Sequence, residues 1–161
     1  MNLKIGRFPY KSVLVACSVN TARSPMTEGY LKYFFRINNL DVNVYSGGIS
    51  SNARDGMLIS LDAKLAMQEE GILLPNESLS LDLKKHSELI KKADLILTLT
   101  NKHKEEILEF VSENGTDIFT LKEFAGDCGD IEDPSMKGLD GFRKARDQIK
   151  KCIIKGLKKY T

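Results

Sequence analysis

Short apolar runs bounded by turn residues alternate along this chain with longer stretches in which apolar positions recur every three or four residues. The first pattern predicts buried strands and the second predicts helices packed on one face. Ser12–Ala16 is the first apolar run; a helix follows from Ser24 to about Ile37, with Leu31, Phe34 and Ile37 along its inner stripe, and Asn38-Asn39 ends it. Val42–Ser46 reads as a second strand, and Gly47-Gly48 as a turn that lets backbone come close to something. A polar loop, Ser50–Gly56, precedes a helix over about Ser60–Glu70, which Gly71 stops as its C′ residue. Beyond it the pattern predicts a helix over Leu81–Lys92, a strand over Asp94–Leu99, and a helix capped by Asn101 that reaches about Val111. Asn114-Gly115 then turns the chain into a strand over Ile118–Leu121. A loop rich in glycine and aspartate, Gly126–Pro134, leads to a last helix, Leu139–Tyr160, with Phe142, Ala145, Ile149, Cys152 and Ile153 on its inner face.

Strands that alternate with helices imply a parallel sheet covered on both sides. Right-handed crossovers leave few topologies, so the expected fold is α/β: a single-domain, doubly wound, four-stranded parallel sheet with helices on both faces. Residues 1–10 read as a loose lead-in folded back on the surface, and residues 11–161 as the domain. In such sheets ligands bind beyond the carboxyl ends of the strands. The loop after strand one lies there by construction, and so does the aspartate-rich loop after strand four. Two stretches far apart in sequence are thus expected to meet at one site.

Composition narrows the class. A chain of 161 residues with 42% hydrophobic and 29% charged residues fits one ordinary globular domain. A formal charge of +2 is too small to make nucleic acid the main partner, and no apolar run is long enough for a membrane span. Residues 1–10 lack the apolar core and cleavage site of a signal peptide. Three widely spaced cysteines fit a reducing compartment, which points to the cytoplasm. Cys17, Cys128, Cys152, His86 and His103 show no metal-ligand spacing, so no metal and no cofactor is expected. Both histidines stand among lysines and read as surface residues; Cys152 reads as core and Cys128 as incidental. Lys150, Lys151, Lys155, Lys158 and Lys159 read as a solvated helix face.

The chemistry concentrates in Val13–Pro25. A strand runs into a tight polar loop that begins at Cys17 and reaches Arg23 six residues later. Ser24 occupies an expected N-cap and Pro25 the first helical position. Backbone N–H groups of Ser18, Val19, Asn20, Thr21, Ala22, Arg23 and Ser24 would surround one point, and the positive end of the helix dipole aims there too. Such a cup suits a phosphate dianion, with Arg23 gripping two oxygens at once. Cys17 at its base sits in a positive field that favours the thiolate, a nucleophile aimed at phosphorus. The remaining requirement is an acid for the leaving oxygen: Asp133, fixed by Pro134, is the first candidate and Asp130 the alternative. Once deprotonated, the same aspartate can activate water against a phosphocysteine, and Ser24 can ease departure of the sulfur.

The stretch Val15-Ala16-Cys17-Ser18-Val19-Asn20-Thr21-Ala22-Arg23-Ser24-Pro25-Met26-Thr27-Glu28 resembles the signature of the low-molecular-weight protein tyrosine phosphatases. The likeness continues through Tyr45-Ser46-Gly47-Gly48, Ala93-Asp94-Leu95-Ile96-Leu97 and Asp133-Pro134, over nearly the whole chain after residue 11. It implies that Cys17 is the nucleophile, Arg23 the phosphate ligand and Asp133 the general acid, with Asn20, Ser24 and Ser46 supporting the loop. It implies a metal-independent phosphatase acting on phosphorylated protein or peptide and releasing inorganic phosphate, without nucleic acid or membrane. The chain departs from the family pattern in having Val19 for glycine and Ala22 for a second cysteine. The aromatic walls that favour phosphotyrosine are replaced by Ile49-Ser50-Ser51-Asn52 and by Ser135-Met136. Thr21, and the segment Phe119–Phe124, resemble the bacterial protein arginine phosphatase branch, so phosphoarginine stands as the alternative to phosphotyrosine. A thioredoxin-coupled arsenate reductase, for which Cys128 and Cys152 are poorly placed, and a non-catalytic phosphoprotein-binding module are the rival classes.

Overall fold

The first apolar run becomes the centre of a sheet. In the computed structural model, which describes residues 3–111 and 115–161, β1 (Ser12–Cys17) lies between β2 (Asn43–Gly48) and β3 (Leu95–Thr98). β4 (Asp117–Thr120) completes the order β2-β1-β3-β4, with every neighbouring pair parallel. The fold is the doubly wound α/β sheet that the alternating pattern predicts.

The period of two along β1 divides the core. Val13, Val15 and Cys17 face one layer, in which α1 (Arg23–Ile37), α2 (Leu61–Gln68), α5 (Leu121–Phe124) and α6 (Gly138–Leu157) bury their apolar sides. Leu14 and Ala16 face the other, built on a 3-10 turn at Leu83–Lys85, α3 (Ser87–Lys92) and α4 (Asn101–Leu108). With both faces covered, β1 needs no polar alternation, which is why it reads as one continuous apolar run. Burying each such aliphatic side chain contributes about 1.5–3 kcal/mol. Phe142, Ala145, Ile149, Cys152 and Ile153 are buried on α6 as its periodicity predicts.

Residues 3–10 pack at the amino ends of the strands. Leu3, Ile5 and Phe8 are buried, and the Phe8 ring lies 4.9 Å from Phe35 and 5.1 Å from Tyr160. The Gly6 N–H donates to the Tyr160 carbonyl at 2.9 Å, so both ends of the chain are tied together away from the loops that follow the strands.

Several expectations need correction. Gly47-Gly48 is not a turn: β2 runs through both, and Gly48 pairs in register with Cys17. The close approach is nonetheless real, because a Cβ on Gly48 would lie 2.7 Å from the Ser18 carbonyl oxygen and 2.9 Å from Val19 backbone. At Gly47 the obstacle is instead the side chain of buried Leu83, at 2.4 Å. We expect Gly48→Ala to disturb the loop after β1 and cut activity, while Gly47→Ala mainly costs stability, about 1–3 kcal/mol by overpacking; parallel thermal melts and activity assays separate the two.

Leu81–Lys92 is not one helix, since His86 adopts a non-helical conformation between the 3-10 turn and α3. Ile37 is 45% exposed, off the inner stripe of α1. Thr100 rather than Asn101 caps α4, its hydroxyl accepting from the His103 N–H at 3.1 Å, and the helix ends at Leu108. β4 ends at Thr120, one residue before the expected strand end, and α5 fills the stretch ahead of the expected loop, with Thr120 and Glu123 forming a reciprocal capping box. Asp94 precedes β3 and accepts from the Lys11 and Ser12 N–H groups, both at 2.9 Å. Gly71 has the positive φ expected of a C′ residue. Asn114 of the expected Asn114-Gly115 turn lies outside the described residues, as do residues 1–2 of the lead-in.

Candidate active site

α1 begins one residue earlier than its sequence suggests, and the consequence is chemical. Its N-cap is Ala22, which supplies no side-chain hydrogen bond, so Ser24 is not the cap and Pro25 is not the first helical residue. The first-turn N–H groups are left without a side-chain acceptor, which suits an anion. Ser24 is instead turned inward, with its Oγ 2.9 Å from Cys17 Sγ.

A chain of buried hydrogen bonds holds that arrangement. Asn20, at φ +65° and 2% exposed, is left-handed, a conformation asparagine tolerates and valine does not. Val19 beside it has no positive φ, which explains how a β-branched residue fits a loop position where the family pattern has glycine. The Asn20 amide nitrogen donates to Ser24 Oγ and Ser46 Oγ, each at 2.9 Å, and its Oδ1 accepts from the Leu81 N–H at 2.9 Å. With Ser24 Oγ already accepting, its hydrogen is free to point at the sulfur. Ser46, accepting likewise, donates to Glu28 Oε1. The Asn20 N–H also reaches Cys17 Sγ, at 3.3 Å. Cys17 is 3% exposed, with hydrogen-bonding groups on two sides of its sulfur.

Arg23 is held from behind. One guanidinium nitrogen donates to the Ile131 carbonyl at 2.9 Å, and another lies 3.9 Å from Asp133 Oδ2. Ile131 in turn donates its N–H to the Leu99 carbonyl at 2.9 Å, which pins the loop before α6 to the end of β3. The two distant stretches thus meet, as the topology predicts. The Asp133 side chain is 60% exposed at the rim, and its Oδ1 accepts from the Ser135 N–H at 3.0 Å. Burial pushes its carboxyl upward, but the Ser135 hydrogen bonds and the Arg23 charge outweigh that and hold it below the usual carboxylate range. Asp130 is occupied elsewhere, accepting from the Asn101 N–H at 2.8 Å at the start of α4. Ser18, Thr21 and Ala22 remain half-buried around the cup.

Two residues without a role in the sequence analysis belong to this network. Glu28 terminates the Asn20–Ser46 chain; it stands inside the quoted motif but had no assigned task. His103 is not on the surface: it is 2% exposed, with Nε2 2.7 Å from Ser18 Oγ. Its lysine-rich neighbours concealed it, whereas its place in the first turn of the helix after β3, at the carboxyl edge of the sheet, was the available signal. Burial, then the Arg23 charge, lower its imidazole to about 4, so it is neutral at physiological pH. Cys152 is buried, with its thiol pushed up by that burial, and Cys128 is exposed.

These features coincide with known proteins. The family model for low molecular weight phosphotyrosine protein phosphatase matches residues 12–160. A protein-arginine-phosphatase of Geobacillus stearothermophilus is 36% identical over 146 residues, covering 90% of this chain and 92% of its own. A low molecular weight protein-tyrosine-phosphatase, PtpB, of Staphylococcus haemolyticus is 31% identical over 137 residues, 85% and 91% of the two chains. Among solved structures, a Cys-to-Ser mutant of the YwlE arginine phosphatase with a phosphorylated active-site serine superposes with a TM-score of 0.82 at 31% identity, covering 92% and 94%. The chain belongs to the low molecular weight phosphotyrosine protein phosphatase family. It is a hydrolase of the cysteine-dependent phosphatase type.

Proposed function

We propose that Cys17 attacks the phosphorus of a phosphorylated protein side chain, with Arg23 and the loop N–H groups binding the equatorial oxygens. Asp133 protonates the departing group and then activates the water that hydrolyses the phosphocysteine, releasing inorganic phosphate. The observation that carries this reading is the Cys17 sulfur, buried beneath an uncapped helix start, with Ser24 Oγ at 2.9 Å and the Asn20 N–H at 3.3 Å. Both groups can hydrogen-bond the sulfur, and Ser18, Thr21 and Ala22 form a half-buried rim. The phosphorylated serine in the YwlE mutant supports transfer of the phosphoryl group to the residue at the base of such a site. The test is hydrolysis of an aryl phosphate in the presence of a metal chelator, with competitive inhibition by vanadate; dependence of turnover on added metal overturns the mechanism. Cys17, Cys128 and Cys152 are all free thiols, which suits work in the cytoplasm.

The principal substrate reading is phosphotyrosine, the chemistry of the family's description. Phosphoarginine is the second, and Thr21 is the observation that favours it. Thr21 lies on the rim, its carbonyl accepting from the Ser60 N–H at 2.9 Å, and its hydroxyl can hydrogen-bond a guanidinium where a branched alkyl group cannot. Where an aromatic wall would stand, Ile49 is buried and Ser51, Asn52, Ser135 and Met136 are exposed. Thr21→Ile is expected to shift the kcat/KM ratio about tenfold from phosphoarginine towards phosphotyrosine peptides. Side-by-side turnover on the two peptides checks it, and an unchanged ratio removes Thr21 as the selector.

A further inference from the structure

The phosphatase mechanism makes no use of His103, yet this imidazole is one of the most buried polar groups beside the site. It touches the loop at a single point, Ser18 Oγ, 2.7 Å from Nε2. Its other ring nitrogen, Nδ1, is buried and has no hydrogen-bond partner among the described residues. Ser18 differs from His103 in being half-exposed, and the side it exposes belongs to the residue immediately after Cys17. Its backbone carbonyl is already engaged by the Ser50 N–H at 3.1 Å, so beside its backbone N–H the hydroxyl is the group left to act.

The two neutral tautomers of His103 are not equivalent here. If Nε2 were the acceptor, Nδ1 would carry a hydrogen buried without an acceptor, and orphaned buried N–H groups are the rarer and costlier case. If Nε2 carries the hydrogen, it donates to Ser18 Oγ, and Nδ1 keeps only an unshared lone pair. In that form the Ser18 hydroxyl hydrogen cannot point at His103 and is directed elsewhere. We infer that His103, as its Nε2–H tautomer, is a positioning residue that turns the Ser18 hydroxyl into a hydrogen-bond donor for the phosphoryl oxygens in the cup. The inference rests on the phosphatase reading and adds a side-chain donor to a cup otherwise made of backbone N–H groups and Arg23.

The charged groups around the imidazole fit this state. Arg23 faces it from α1, Lys102 from its own helix, and Asp130 and Asp133 from the loop before α6. Burial and the Arg23 charge together keep the ring uncharged through the neutral range, and the choice between its two neutral tautomers falls to the unpartnered Nδ1.

The full chain tests this in two ways. Nitrogen-15 NMR of the His103 imidazole is expected to report a hydrogen on Nε2, and a hydrogen on Nδ1 overturns the inference. Ser18→Ala is expected to bind inorganic phosphate and vanadate about tenfold more weakly, as befits one hydrogen bond to a charged acceptor. His103→Leu should give the same loss, His103→Gln should keep most of the affinity because its amide can still donate, and the double variant Ser18→Ala, His103→Leu should fall no further than either single one. If His103→Leu weakens the Ser18→Ala protein as much as it weakens the wild type, or if Ser18→Ala binds phosphate like wild type, the inference fails. Should His103→Leu not fold, the tautomer, Ser18→Ala and His103→Gln still decide. Phosphate binding and the tautomer are read without turnover, so a wild type that binds phosphate but hydrolyses nothing defeats only the phosphatase reading. An active enzyme indifferent to Ser18→Ala defeats only this inference.

Discussion

Cys17→Ser should leave a folded protein that still binds phosphate and has lost turnover by a factor on the order of 10³ or more. The folding part follows from size and surroundings. Oxygen replaces sulfur at a position 3% exposed, where Ser24 and Asn20 already supply hydrogen bonds that a hydroxyl can use. The binding part follows because the cup does not depend on the sulfur: the uncapped start of α1 and the Arg23 guanidinium, fixed by the Ile131 carbonyl at 2.9 Å, are unchanged. The loss of turnover follows from ionisation. Such hydrogen bonds do not bring a serine hydroxyl, intrinsically far less acidic than a thiol, to its anion at neutral pH. Among the described residues the side chain at position 17 is hydrogen-bonded only to Ser24 Oγ and the Asn20 N–H, neither of which is a general base. Steady-state rates on an aryl phosphate, with phosphate affinity measured on the same samples, check all three statements together. Retained turnover would remove the thiolate mechanism, whereas lost phosphate binding would show that the substitution had collapsed the loop.

The sequence carried the frame of this site well because each part of it had a local physical signature. β1 is buried on both faces, so its apolar run is continuous; Cys17 and Arg23 are fixed in spacing by one tight loop; Asp133 is marked by the proline after it. What stayed hidden was decided by tertiary contacts that leave no local pattern. Ser24 has the composition of an N-cap, and only its 2.9 Å approach to Cys17 Sγ shows that the hydroxyl is used inside the site. Gly47-Gly48 has the composition of a turn, yet the pair is glycine because Leu83 and the Ser18–Val19 backbone leave no room for a Cβ. His103 looks like a surface residue among lysines until the crossover from β3 carries it under Ser18. Asp130 and Asp133, rivals in sequence, separate only when one is seen accepting from the Asn101 N–H at the start of α4 and the other facing Arg23. Composition predicts what a segment can do alone, and these residues are set by what packs against them.

Asp133→Ala should separate substrates by their leaving groups. A poor leaving group such as an alkyl or unsubstituted aryl oxygen must be protonated as it departs, so its release should slow by about 10²–10⁴-fold. A nitrophenolate leaves as a stable anion, so formation of the phosphocysteine from that substrate should change far less. The pH dependence carries the same assignment. In the free protein the Asp133 carboxyl sits below its usual range, since the Ser135 hydrogen bonds and the Arg23 charge outweigh its burial, and at neutral pH it is an anion. An acid must hold its proton, so the bound substrate has to supply the correction. A phosphoryl dianion in the cup neutralises the Arg23 guanidinium, 3.9 Å from Asp133 Oδ2, and repels the carboxylate directly. Both effects raise the carboxyl in the complex and make the protonated form available. Turnover of a poor leaving group should therefore fall as pH rises through that raised value, because the proton is lost, and Asp133→Ala should abolish this alkaline limb along with most of the rate. Pre-steady-state rates on a matched pair of aryl phosphates across the pH range measure both effects. Equal slowing of the two substrates, or an alkaline limb that survives in Asp133→Ala, would clear Asp133 of the acid role and leave the proton to come from water.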